Sequence, residues 1–329
     1  MGLTLSKLYD YFDAAALVEG STKTKCRTSI RKLIAWRQAT GQSVEADSVA
    51  FHEVGAWQLW MLEQGMRRTS VPGYVLSVSQ VYSWAIDAKL LTENPFRKAK
   101  KLRSPEPEVV VFTADEVADL IEAAGIVEVR DPSARLRWTA MLLMASGSGP
   151  RIGEIWNLRW DDIDLNAGIA HICYHPAVSG QCWEWGSKTM RPRYVPLSQE
   201  AVECYHRLAE VATWPYPHLK EAACKRLQAM ATSLKEAQRK RPYCNFYEEF
   251  GRIKAYANGR RQKAGKPPIR AGAFHTIRKT AITGWLQKGT SVADAQAVAG
   301  HASKTTTLVY YAAVNGTAAV ETVRKIINA

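Results

Sequence analysis

Residues 97–108 read Arg-Lys-Ala-Lys-Lys-Leu-Arg-Ser-Pro-Glu-Pro-Glu, a basic run closed by two prolines. Each proline fixes its own φ and lacks an N–H, so Pro105 and Pro107 keep the chain extended and forbid a helix running through them. The chain must therefore fold as two bodies joined by a linker. The expected division is a helical domain over residues 1–103, a linker over 104–110 and a second domain over 111–329. With 329 residues in total, each body is long enough to bury a core of its own.

The first body reads as helical. Apolar positions fall on helical stripes in Thr28–Gln38 and Val54–Leu62, and a third helix is expected from Ser70 to Ala88, stopping before Asn94-Pro95. The second body opens on Thr113, with Glu116 three residues later, the spacing of a capping box. Helices are expected at about 114–124 and 135–146. The pattern then changes. Residues 160–165, 169–174 and 193–197 read as strands of a small antiparallel sheet, and helical patterning resumes after Leu197. The expected fold class is mainly α: a helical N-terminal domain followed by a mixed α+β domain with a small antiparallel sheet.

Composition removes several function classes. No stretch approaches the ~18 apolar residues that span a bilayer, and the N-terminus lacks the layout of a signal peptide. Six cysteines, none in a C-x-x-C pair, read as reduced cytosolic thiols and not as a disulfide frame. The formal net charge is +13, and residues 219–270 carry 14 Lys and Arg against 4 Asp and Glu. Within that segment Arg239, Lys240, Arg241, Arg260 and Arg261 lie among Tyr243, Phe246, Tyr247 and Tyr256. Clustered charge of this kind suits a polyanion, because phosphate neutralisation releases counterions.

Four short segments carry chemistry-bearing residues. Ser146-Gly147-Ser148-Gly149-Pro150-Arg151 ends one helix, puts Pro150 in the first turn of the next and sets Arg151 beside it, where an anion could be met; its ordinary reading is a salt bridge to Glu154. Lys188 sits in the loop before the Arg193–Leu197 strand, either solvated or poised as a general acid. His275 and Arg278, three apart, share a helix face. Gly300-His301 is followed nine residues after the histidine by Tyr310, with Tyr311 beside it. A phenol becomes a nucleophile only where cations stabilise its anion or the charge on its target.

Taken in order, Arg151-x-x-Glu154, Lys188, His275-x-x-Arg278, Gly300-His301 and Tyr310 resemble the catalytic set of the tyrosine recombinase (phage integrase) family. The segments LRWDDID (158–164), SKTMRPRYVPL (187–197) and YSWAIDAKLLTENP (82–95) are also similar to family segments, so the resemblance covers about residues 20–315. It implies that residues 1–103 form a core-binding DNA domain and that 111–329 form the catalytic domain with a C-terminal tail helix. Arg151 and Arg278 would grip the scissile phosphate, Lys188 would protonate the departing 5′-hydroxyl, and His275 and His301 would assist. Tyr310, not Tyr311, would attack, and Glu154 would orient Arg151. Lys98, Lys100, Lys101 and Arg103 would cross the DNA backbone. The long basic stretch before His275 departs from the family pattern, so DNA contacts there rest on charge alone.

The implied partners are double-stranded DNA bearing specific sites and, on that DNA, a homotetramer that is a monomer or weak dimer when free. No cofactor or metal is implied, and the expected location is the cytoplasm, on the nucleoid of a bacterium or phage host. Two other functions use related features: a type IB-like topoisomerase and a non-catalytic site-binding DNA protein. A metal enzyme built on His171, His175 or His206 is the remotest, since their spacing matches no zinc pattern.

Overall fold

In the computed structural model, the described residues are 2–103, 109–127, 132–176, 185–186, 191–212, 246–303 and 307–308. They form two compact units that divide at Pro107 and Glu108.

The first unit is built from four helices: α1 (Leu5–Ala15), α2 (Gly20–Ala39), α3 (Glu53–Glu63) and α4 (Val71–Asp87). Leu5, Leu8, Tyr9 and Phe12 recur at three- and four-residue steps, so α1 buries one face, and the Thr4 hydroxyl caps it by accepting from the Lys7 amide. On α2 the buried stripe is Cys26, Ile30, Leu33 and Trp36. Pro72 falls in the first turn of α4, where no intrahelical donor is lost. These faces close over Trp57, Tyr82 and Phe96, whose rings meet edge to face at 5.8 and 5.1 Å. The Tyr82 hydroxyl donates to the Ala46 carbonyl at 2.8 Å, so its polar end is satisfied inside the core. The basic run is tied down at its backbone: Gln58 donates to Lys100 O and accepts from the Leu102 amide, and Arg68 Nε reaches Arg103 O.

The second unit begins with α5 (Ala114–Ile126), where both halves of the capping box form between Thr113 and Glu116. Next come α6 (Pro132–Ser148) and the short α7 (Ile152–Trp156), then strands β1 (Ile163–Asp164), β2 (Ile169–Ile172) and β3 (Arg193–Pro196). The strands pair antiparallel in the order β1-β2-β3, with Ala170 opposite Val195 on the buried face. Helices α8 (Gln199–Val211), α9 (Phe246–Lys263), α10 (His275–Gln287) and α11 (Val292–Ala299) complete the described part. Its core centres on Trp138, which stacks on Phe246 at 5.0 Å and also meets Phe250 and Phe274. The expected fold class holds: mainly helical, with one small antiparallel sheet.

Two local expectations shift. Pro150 does not enter the helix that follows; Arg151 is its N-cap, because the Glu154 carboxylate accepts from the Arg151 amide at 2.7 Å and starts the helix at Ile152. The first strand is only Ile163–Asp164, since Trp160–Asp162 closes as a 3₁₀ turn. The tail segment 317–327 lies outside the described residues. Among the described residues, no helix is long and apolar enough to cross a membrane.

Candidate active site

The end of α11 organises the site. Gly300 adopts φ +65° and closes the helix, its amide donating to the Gln296 carbonyl at 2.9 Å. A helix leaves its last carbonyls without intrahelical donors, and their dipoles attract cations. Here three successive carbonyls are each met by a different arginine. Arg193 Nε donates to Val298 O at 2.8 Å, Arg278 Nη2 to Ala299 O at 2.8 Å, and Arg151 Nη2 to Gly300 O at 3.1 Å. A further anchor holds Arg278, whose Nη1 donates to Gly149 O. That carbonyl is aimed by the positive φ of Gly149 at the end of α6, where a Cβ would press on Trp285 at 3.2 Å.

Glu154 joins two of these arginines. Its carboxylate accepts from Arg151 Nη1 at 2.9 Å and from Arg193 Nη1 and Nη2 at 3.1 and 2.6 Å. The side chain is 2% exposed. Burial alone would push the carboxyl up, but the two guanidiniums and the Arg151 amide outweigh it and hold Glu154 below the usual carboxylate range. An unpaired carboxylate at this depth would cost several kcal/mol, which is why two arginines and not one surround it.

Both histidines lie in this positive field. His301 is buried, and its Nδ1 lies 2.8 Å from Thr307 Oγ1. Burial, then Arg278, Arg151 and Arg193, lower its pKa to about 4. His275 opens α10, and partial desolvation followed by Arg278, Lys279 and Arg151 lowers its pKa as well. Both rings are therefore neutral at pH 7, able to donate from one nitrogen while accepting at the other. An arrangement of two guanidinium forks and two neutral imidazoles is suited to a tetrahedral oxyanion.

Of the residues singled out from the sequence, Arg151, Glu154, His275, Arg278 and His301 thus converge at the ends of α6, α10 and α11. Lys188, Tyr310 and Tyr311 lie outside the described residues, as do Arg239, Lys240 and Arg241. Lys98, Lys100, Lys101 and Arg103 are exposed on the first unit, and Arg260 is exposed on α9, paired with Glu122 at 2.6 Å. Arg261 corrects the expectation of a DNA contact. Its side chain is 5% exposed, donates to Asp115, Asp119 and Pro267 O, and so locks α9 to α5. Sequence reasoning passed over Arg193, which sits on the buried side of the sheet edge facing α11.

One group among the described residues could hold a metal: Asp162, Cys173 and His175. Its polar atoms already satisfy one another. Asp162 Oδ2 meets His175 Nε2 at 3.1 Å and the Arg159 amide at 2.6 Å, and Oδ1 accepts from the Cys173 thiol at 3.4 Å. Burial and the Asp162 carboxylate push that thiol up to about 11, away from the thiolate a metal needs. The trio reads as a hydrogen-bonded knot fixing the start of the sheet. His171 stacks on Tyr194 at 4.5 Å.

Comparison with known proteins agrees with this geometry. The family model described as the phage integrase family matches residues 111–317. A tyrosine recombinase XerD from Bifidobacterium longum is 26% identical over 290 residues, covering 88% of this chain and 86% of the relative. The XerD of Pseudomonas aeruginosa is 24% identical over 306 residues, covering 91% and 90%. Among solved structures, the Tn1549 transposon integrase in complex with a circular intermediate DNA superposes with a TM-score of 0.69 at 19% identity, covering 94% of this chain and 95% of that one. A lambda integrase tetramer bound to a Holliday junction gives 0.60 at 19% identity, covering 94% and 77%. At such identities the structural likeness speaks for the fold.

Proposed function

Because the chain belongs to the phage integrase family, we propose that the cluster at the end of α11 receives the scissile phosphate of a DNA strand and that Tyr310 attacks it. The protein is a tyrosine-type site-specific recombinase, and its substrate is DNA. The observation that carries the site assignment is the convergence of Arg151 and Arg278 on adjacent carbonyls, Gly300 O and Ala299 O, beside a buried neutral histidine.

The chemistry follows from charge. Attack by the Tyr310 oxygen on phosphorus forms the phosphotyrosine bond and expels the 5′-oxygen, with extra negative charge on the equatorial oxygens at the halfway point. The forks of Arg151 and Arg278 offset that charge, the effect that dominates phosphoryl transfer. Lys188 supplies the proton that leaves with the 5′-hydroxyl. His275 takes part in removing the phenolic proton, a role that suits an imidazole kept neutral by partial desolvation and then by its positive neighbours. His301 donates to a phosphate oxygen; when the Thr307 hydroxyl donates to Nδ1, the ring proton sits on Nε2, the nitrogen that would make that bond. The phosphodiester energy stays in the 3′-phosphotyrosine link, so a second 5′-hydroxyl can reverse the steps without a nucleotide.

Residues 1–103 serve as the core-binding domain, and Lys98, Lys100, Lys101 and Arg103, all exposed, supply phosphate contacts. The working assembly is a homotetramer on DNA, formed from monomers or weak dimers. The location that suits this activity is the cytoplasm, at the nucleoid.

Mapping covalent protein–DNA adducts across a genome returns the target site and the cleavage position together. On a nicked suicide substrate made from that site, Tyr310→Phe abolishes the adduct and Tyr311→Phe retains it. The opposite result would sink the assignment of the nucleophile. Relaxation of any supercoiled plasmid, without exchange between defined sites, would point instead to a topoisomerase.

A further inference from the structure

We propose that Arg193 is a positioning residue for strand cleavage: it seats Glu154 and thereby fixes the fork of Arg151 at the phosphate. The inference rests on Arg151 acting as a phosphate clamp, as set out above.

Arg193 spends all its described donors inward. Nη1 and Nη2 grip the two oxygens of Glu154, Nε grips Val298 O, and the side chain is 9% exposed. Arg151 differs: its side chain is 28% exposed, so it keeps a face toward solvent. Both anchors of Arg151 are also contacts of Arg193. Glu154 is shared directly, and Gly300, whose carbonyl holds Arg151 Nη2, packs so closely that a Cβ there would lie 2.7 Å from Arg193 Cζ. Without Arg193, a carboxylate 2% exposed would have Arg151 as its remaining described cation. It would draw both arms of that fork inward and cancel the charge meant for DNA. Arg193 therefore absorbs the carboxylate so that Arg151 stays available. Misplacing a clamp by about 1 Å costs on the order of 10²-fold in rate.

The test uses the full chain and a nicked suicide substrate carrying its mapped site. For Arg193→Met, DNA affinity should stay within about threefold, while adduct formation in the preformed complex slows on the order of 10²-fold. Arg193→Lys, which keeps the charge but reaches fewer acceptors, should recover part of the rate; it also carries the test if the methionine variant fails to fold. In a Glu154→Gln background, Arg193→Met should change the rate by less than about threefold, because the route through Glu154 is already cut. A substrate whose bridging 5′-oxygen is replaced by sulfur leaves without needing a proton. On it the Arg193→Met defect should persist. If the defect vanishes there, Arg193 acts through the Lys188 loop and the proposal is overturned. A lowered melting temperature with an unchanged cleavage rate overturns it too. Absence of any adduct from the unaltered chain is a different failure, that of the recombinase reading itself.

Discussion

Gly300 concentrates three demands in one residue. It needs positive φ to end α11, it needs an empty Cβ position beside Arg193, and its carbonyl holds Arg151. Gly300→Ala should cost roughly 1–3 kcal/mol of stability in the second unit from backbone strain. Because Arg193 must also shift, the cleavage rate should fall more than DNA affinity does; a calorimetric scan and a single-turnover assay separate the two effects. His301 gives a pH signature. Its folded pKa is about 4, below the ordinary imidazole value of about 6.5, and His275 is lowered in the same direction. Between those values the unfolded chain binds more protons than the folded one, so stability is complete above about pH 6.5 and declines as pH falls toward 4. Urea midpoints measured from pH 7.5 to 4.5 should fall along this course, and His301→Gln should flatten part of the slope. Both histidines and two of the arginines were legible in the sequence because their order and spacing are distinctive. Arg193 was not. Its partners lie 39 and 105 residues away, and in a short strand an arginine looks like any solvent-facing residue.

Elements that announce themselves locally were the readable ones. Two residues at capping-box spacing suffice to mark the start of α5, and Val75, Val78, Tyr82 and Ala85 mark α4 to within a residue or two of its ends. Thr113→Ala should remove about 1 kcal/mol, measured by denaturant unfolding, since it frees a helix-end donor. The first helix carries an equally clear stripe in Leu5, Leu8, Tyr9 and Phe12, yet reading the N-terminus only for a targeting signal passed over it. The basic character of α9 misled in a more instructive way. Arg260 and Arg261 look alike in sequence, but one faces solvent and the other is sealed against Asp115 and Asp119, a distinction set by packing against α5. Arg261→Met should therefore lower the denaturant midpoint of the second unit, because it removes the tie to Pro267 O along with the solvent-screened pairs to Asp115 and Asp119. The salt dependence of DNA binding should not change. Lys100→Ala should do the reverse, lowering the slope of log affinity against log salt by about 1 with little effect on stability.

For the whole molecule, the surplus of +13 divides by role. On the proposed reading, exposed lysines on the first unit contribute affinity, whereas the arginines at the end of α11 are held in place by the protein itself. Raising salt should thus weaken binding steeply and leave the rate within a preformed complex far less changed. The two-body organisation was legible because Pro105 and Pro107 interrupt the helix pattern. Which side chains face one another inside the second body was not, since those pairings span most of its length. One of them, the sharing of a single carboxylate by Arg151 and Arg193, has a practical consequence in the test tube. Two cations against one anion leave an unmatched positive charge, so sulfate or phosphate in a storage buffer should act as a ligand and not as an inert salt. Such an ion would raise the melting temperature as its concentration passes its dissociation constant, by about 2.7 kcal/mol of stability at a hundredfold excess. It would also occupy the place of the DNA phosphate. A preparation kept in phosphate should then look sturdier and work more slowly than the same preparation in chloride.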